Sequence, residues 1–313
     1  MTKITDFVRY SSRMGEIFCI VFLSLFLLNN NIVAQTTWDG GGFSQVWSSA
    51  ANWDSGVPSA GVPTTIPTVP ATFLIFPDLT AIPASDGATA DLDVQPGARI
   101  DIGNRTLTIN GNLTLNGDIA ITTGTLTVTG SISGSGSITN ASGAIHVGGN
   151  IDFSTLTFTA GTGTFTLNGG APQNLDSGGN PMGNLTVTGA GTAVSMLNSS
   201  VGCADLTIET GSSLVIGNLN LTAIGTLTTN VTGTLTANNG NIDITGTVTN
   251  NGTIQTTGTG TQTYGNTVTS SGTITGGELI DINAAIDFTG GTLNEGAGGV
   301  NVSGNFNGGT FND

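Results

Sequence analysis

From about residue 99 to the C-terminal end, the chain repeats one short unit. Two apolar residues flank a polar one, and a turn rich in Gly, Asn or Ser follows. Leu107-Thr108-Ile109, Leu113-Thr114-Leu115, Ile119-Ala120-Ile121 and Leu126-Thr127-Val128 open the series. Leu185-Thr186-Val187, Leu206-Thr207-Ile208, Ile242-Asp243-Ile244 and Val300-Asn301-Val302 continue it. Alternation with period two is a strand signal, and β-branched Thr, Val and Ile suit a pleated surface. Units start at 107, 113, 119, 126, 132, 138, 145 and 151, and later at 268, 274, 280, 286, 293, 300 and 306. A step of six or seven residues is too short for hairpin strands, whose turn signals recur about every 8–12 residues. The pattern therefore predicts an all-β fold, a parallel β-helix (β-solenoid) with about three short strands per coil. A coil of about 19 residues gives roughly ten coils, and at about 4.8 Å per coil a rod of roughly 50 Å. Gly and Asn between units are expected to supply the positive φ that corners need.

Composition narrows the chemistry. Of 313 residues, 49 are Gly, 53 Thr and 30 Asn, while charged residues are only 8%. Lys3, Arg9 and Arg13 are three of the five cations, which leaves Arg99 and Arg105 for the rest of the chain. Two cations exclude a basic nucleic-acid surface, so no nucleic-acid partner is expected. His146 is the one histidine, too few for a histidine-built metal site. No cofactor is expected.

The N-terminus reads as an export signal over residues 1–34. A basic region precedes the uncharged apolar run Ile17 to Leu28, and Ile32-Val33-Ala34 leads to a cleavage point before Gln35. Twelve apolar residues reach about 18 Å, short of a bilayer core of roughly 30 Å. The mature chain is thus expected outside the cytoplasm, associated with the cell surface and not membrane-spanning. It keeps one cysteine, Cys203, read as a small buried hydrophobe. Without Asp6 and Glu16, eighteen acids face two cations, a net charge of about −16.

Residues 35–96 differ from the repeats at 97–313. They carry all three tryptophans, Trp38, Trp47 and Trp53, and most of the prolines. A solenoid must cover its first coil, because open edges and an open core template aggregation. This segment is read as an aromatic N-terminal cap, with an exposed carbohydrate platform as the rival reading. The run Trp38-Asp39-Gly40, Val46-Trp47-Ser48, Ala51-Asn52-Trp53-Asp54 and Val57-Pro58 resembles the leader of secreted, repeat-rich surface proteins of Gram-negative bacteria. The run Phe158 to Gly169, then Pro172-Gln173 and Asn184-Leu185-Thr186-Val187, is similar to a unit common in their arrays. The resemblance implies a right-handed parallel β-helix and an adhesin or surface-layer role, with surface glycans or other cell-surface proteins as partners. Such proteins end in a sorting or anchoring module, so the chain is expected to be the N-terminal part of a longer protein.

Two stretches break the rhythm. Gly169 to Gly183 is read as a protruding loop, and Thr256 to Thr263, which lacks apolar residues, as a thin edge that Tyr264 fills. β-Helices also host polysaccharide lyases and hydrolases, which need paired carboxylates. Asp101, Asp152, Asp243, Asp281 and Asp287 each sit between apolar residues and should point outward, scattered and solvated. Arg99 and Arg105 should pair with Asp91, Asp93 or Asp101, and no calcium-loop motif is present. No enzymatic activity is expected. The sharper alternative is ice binding. Thr125, Thr127 and Thr129, Thr164 and Thr166, Thr226 and Thr228, Thr234 and Thr236, Thr247 and Thr249, and Thr267 and Thr269 place hydroxyls in outward rows. Stacked on one face, such rows resemble those of β-solenoid antifreeze proteins.

Overall fold

The computed structural model describes residues 34–68, 76–81 and 84–313. The basic and apolar regions of the proposed export signal lie outside the described residues. From Gln35 onward the structure is a parallel β-solenoid of about 11 turns. Among the described residues one 3-10 turn, Ala50–Asn52, interrupts the strands.

Three sides stack along the solenoid. The first face has 14 strands, from Thr36–Thr37 to Thr310–Asn312. The last side of each coil forms a 12-stranded sheet, from Gly87–Thr89 to Phe306–Asn307, called here the threonine face. Between them lies a split side. It consists of a four-stranded sheet ending at Thr157–Thr159 and a six-stranded sheet beginning at Val201–Cys203. On the threonine face the inward position is Leu107, Leu126, Ile145, Phe165, Leu185, Leu206, Leu227, Val248, Val268 and Ile286 in unbroken register. These ten positions are 18 to 21 residues apart in sequence, and all are buried. Each contributes roughly 1.5–3 kcal/mol by leaving water.

At the corners glycine meets the expectation, with Gly161, Gly189, Gly211 and Gly290 among those at positive φ, but asparagine does not. Asn198 is the only described Asn with positive φ. Several corner amides reach along the axis instead. Asn112 Oδ1 accepts from Ser131 N at 2.9 Å, and Asn150 Oδ1 from Asn174 N at 2.8 Å. Asn220 Oδ1 accepts from Asn241 N, and Asn241 Oδ1 from Thr261 N, each at 3.0 Å. A side-chain oxygen thus replaces the carbonyl that a turning backbone points elsewhere. Several corner glycines serve a close approach rather than a left-handed backbone. A Cβ on Gly252 would lie 2.2 Å from Gly233 O, and one on Gly272 2.1 Å from Gly252 O.

Gly169 to Gly183 is not a protruding loop. Pro172–Asp176 is a strand of the first face, paired with Ile151–Asp152 and Ala193–Met196. Its inward residues are Gln173 and Leu175, and Met182 is also buried. Gln173 compensates for its polarity by donating to Val147 O and Gly149 O and accepting from Gly169 N. The amide satisfied in this way made an inward position look like a loop.

Near Thr256 to Thr263 the coil is filled, not thin. Tyr264 fills the core as expected, and Gln262 and Thr256 also point inward, fully buried. Gln262 Nε2 donates to Thr256 Oγ1 at 3.1 Å and to Thr275 O at 2.6 Å. A second inward column of the threonine face turns polar in the same region, from Ile208 to Thr229, Asn250 and Ser270. Asn250 Nδ2 donates to Ser270 Oγ and Thr273 O there.

The three tryptophans are buried members of the same core. Trp53 meets Trp38 and Trp47 edge-on, with ring centroids 5.0 and 4.9 Å apart. Trp53 Nε1 donates to Trp47 O at 2.7 Å. Buried Asn52 ties the turn together, donating to Val46 O and Ser44 Oγ and accepting from Gly42 N. Asp54 Oδ1 accepts from Thr37 N, and that bond is the main reason its carboxyl titrates below the ordinary range. The leader's aromatic and amide residues are therefore packing residues. Burial of all three rings removes the exposed carbohydrate platform. Thr36–Thr37, Thr64–Ile66 and Leu92–Val94 are already rungs of the first face.

Candidate functional site

The outward position of the threonine face holds Thr108, Thr127, His146, Thr166, Thr186, Thr207, Thr228, Thr249 and Thr269 in unbroken register. Ala88 precedes it, and Asp287 and Asn307 follow. Eight of these nine ladder positions from Thr108 to Thr269 are threonine. Parallel pairing sets the rungs about 4.8 Å apart. A second row runs two residues earlier through Thr106, Thr125, Ala144, Thr164 and Asn184. Thr226, Thr247 and Thr267 stand one residue before the later strands of the same face, where their carbonyls accept from Leu206, Leu227 and Val248. Within a strand the two rows are separated by about 6.6 Å, two residues of rise. The face is thus a two-row array of methyl and hydroxyl groups. β-Branched side chains hold it in few rotamers.

The expected threonines divide among three places. Thr125, Thr127, Thr164, Thr166, Thr247 and Thr249 lie on this face. Thr234 and Thr236 instead face outward from the first face, where Thr234, Thr253, Thr273, Thr292 and Thr310 form a shorter row. Thr129 lies past its strand at a corner, its amide donating to Ile109 O. Thr166 is only 7% exposed, so it adds little to a contact surface beside His146. Thr228 and Thr269 lie in the ladder as expected, and the residues that complete it, Thr108, Thr186 and Thr207, are the middle residues of apolar-Thr-apolar triplets. The triplets themselves were the signal for them.

The five repeat acids are dispersed. Asp101 and, on the other sheet, Asp243 and Asp281 lie on the split side. Asp152 belongs to the first face and Asp287 to the threonine face. Arg99 pairs with Asp101 at 3.5 Å, as expected, whereas Arg105 pairs with Asp86 at 3.2 Å. The Asp86 partner precedes the repeats, where step counting gives no register. Asp91 Oδ1 accepts from Asn112 N, and Asp93 from Gln95 Nε2. No three His, Cys, Asp or Glu side chains among the described residues converge as metal ligands. No helix among them is long and apolar enough to cross a membrane.

Asp176 was not foreseen. It is buried opposite Asp152 in register. Burial works to raise its pKa, but bonds from Asn198 Nδ2, Gly178 N and Ser199 Oγ outweigh that and hold it below the usual carboxylate value. Cys203 is buried, as the sequence implied. Burial, aided by the charge of Asp205, pushes its thiol up to about 12.

Fold and surface together define a threonine-faced parallel β-solenoid. Comparison with protein-family models, curated proteins and solved structures returned no match.

Proposed function

We propose that the chain is an exported cell-surface scaffold, a rigid rod that makes distributed weak contacts through hydroxyl and amide faces. The observation that carries this reading is the constant-register ladder on the threonine face. Surface glycans or other cell-surface proteins are the proposed partners, and no turnover is proposed. The buried Trp38, Trp47 and Trp53 cluster acts as the cap of the first coil. The test is expression of the full chain in a Gram-negative host with fractionation and N-terminal sequencing. A protein beginning at Gln35 and accessible to surface labelling is expected. Unprocessed protein confined to the cytoplasm overturns the reading.

Ice binding is the second reading, favoured by the eight threonines in one ladder. A repeating methyl-and-hydroxyl array can order water on its own spacing without any pocket. Thermal hysteresis by the wild type that is lost in Thr207→Lys/Thr228→Lys, with the fold retained, supports it. No hysteresis or recrystallisation inhibition at any concentration removes it.

A further inference from the structure

The coil between the two sheets of the split side has no strand on that side. Residues 177–183 cross the gap in its place. On one edge the Asn180 carboxamide acts as the missing rung. Its Oδ1 accepts from Phe158 N at 3.1 Å and its Nδ2 donates to Leu156 O at 3.1 Å. On the other edge Met182 N donates to Gly202 O and Ala204 N to Gly183 O. Outside this seam the surface is hollowed to a cavity of about 530 Å³.

Its walls are apolar: Phe158, Ala160, Pro181, Cys203, Ala204 and Ile224. The only side-chain hydroxyls are those of Thr159 and Thr222, and no charged side chain lines it. Two features keep it open. Gly202 takes the outward ladder position that Thr222 and Asp243 fill on the next coils, and a Cβ there would meet nothing within 4 Å. Ile224 stands at the cavity with 72% of its surface in water, although a large aliphatic group gains by being covered. The volume lies within the usual range for small-molecule sites, roughly 300–1,000 Å³.

We propose that this hollow binds a small, uncharged apolar molecule, its one polar group directed to the Thr159 and Thr222 hydroxyls. Electrostatics choose the neutral class. The Asp205 carboxylate acts on Cys203, and the whole chain is strongly acidic. An anionic amphiphile is repelled, and a cation finds no carboxylate in the walls. The thiol stays protonated across the physiological range and serves as apolar wall, not as nucleophile. This site is independent of the scaffold reading, since it needs neither export nor a surface partner.

The test uses the full chain and two fluorescent probes, neutral N-phenyl-1-naphthylamine and anionic 1-anilinonaphthalene-8-sulfonate. Saturable one-to-one binding of the neutral amine is expected, with the sulfonate at least about tenfold weaker. Gly202→Val fills the hollow from an open strand position and should weaken the amine by at least about tenfold. Ile224→Asp, at an exposed position away from the core, should do the same by placing a charge at the rim. Phe311→Asn, which alters the exposed rings of the last coil, should leave binding unchanged. Absence of saturable binding, equal binding of both probes, unchanged binding in Ile224→Asp or in folded Gly202→Val, or loss in Phe311→Asn overturns the proposal.

Discussion

The Tyr264 hydroxyl donates to Gln262 Oε1 at 2.7 Å inside the coil, and both side chains are fully buried. Each is therefore the other's protection against an unsatisfied polar group. Tyr264→Phe leaves Gln262 Oε1 without this donor and should cost about 1–3 kcal/mol. Gln262→Leu should cost as much, because it orphans the phenol. The double variant should lose less than the sum of the singles, as read by denaturant unfolding. Additive losses would show that the pair is not coupled.

Alkali should unfold the rod through two groups. Burial raises the Tyr264 phenol above its ordinary 10.0, and burial with Asp205 raises the Cys203 thiol from 9.0 to about 12. Both are neutral in the fold while the unfolded chain ionises. Their stabilising contribution is therefore full below pH 9.0 and is lost as pH rises, first through Cys203 and above 10.0 through Tyr264. Each group, once titrating only in the unfolded chain, should add a slope of about 1.4 kcal/mol per pH unit. Cys203→Ser should delay the onset. In protein that begins at Gln35, where Tyr264 is the only tyrosine, tyrosinate absorbance should appear with unfolding and not before it.

The acid limb has the opposite sign. Asp176 titrates below its ordinary 3.8 in the fold, so its contribution is present above that value and disappears as pH falls below it. Asp176→Asn should flatten stability against pH in that range relative to wild type. Urea midpoints measured between about pH 2 and 6 check this, and an unchanged acid slope would remove the assignment.

Glycines of the two kinds should respond oppositely. A Cβ on Gly252 meets the Gly233 carbonyl oxygen at 2.2 Å, whereas one on Gly202 meets open space. Gly252→Ala should destabilise by several kcal/mol or prevent folding, because two coils would have to separate. Gly202→Ala should be neutral or gain up to about 1 kcal/mol. Thermal unfolding of the two variants decides it.

The Leu107, Leu126 and Ile145 column shows why the fold was legible. A six-to-seven-residue step with alternating burial leaves few ways to hide apolar side chains, and inward and outward positions follow at once. The middle residues of the triplets were legible for the same reason. Which threonines share a face was not, because coil lengths vary from 18 to 21 residues even on one side, and each change shifts the count. Thr234 was lost in this way to the first face. Gln173, Asn250 and Gln262 escaped because polarity alone gives the wrong side of a strand when hydrogen bonds satisfy an inward amide. The hollow beside Gly202 could not be read at all. It depends on a missing side chain meeting a missing strand.

The crossing at residues 177–183 also has a mechanical meaning. Force along the axis passes from coil to coil through the parallel backbone bonds of three sides. At this one level the split side hands its share to a single carboxamide, that of Asn180, on the Phe158 edge. A rod pulled from its ends should part there first, and the two lengths on either side should persist as separate elastic segments.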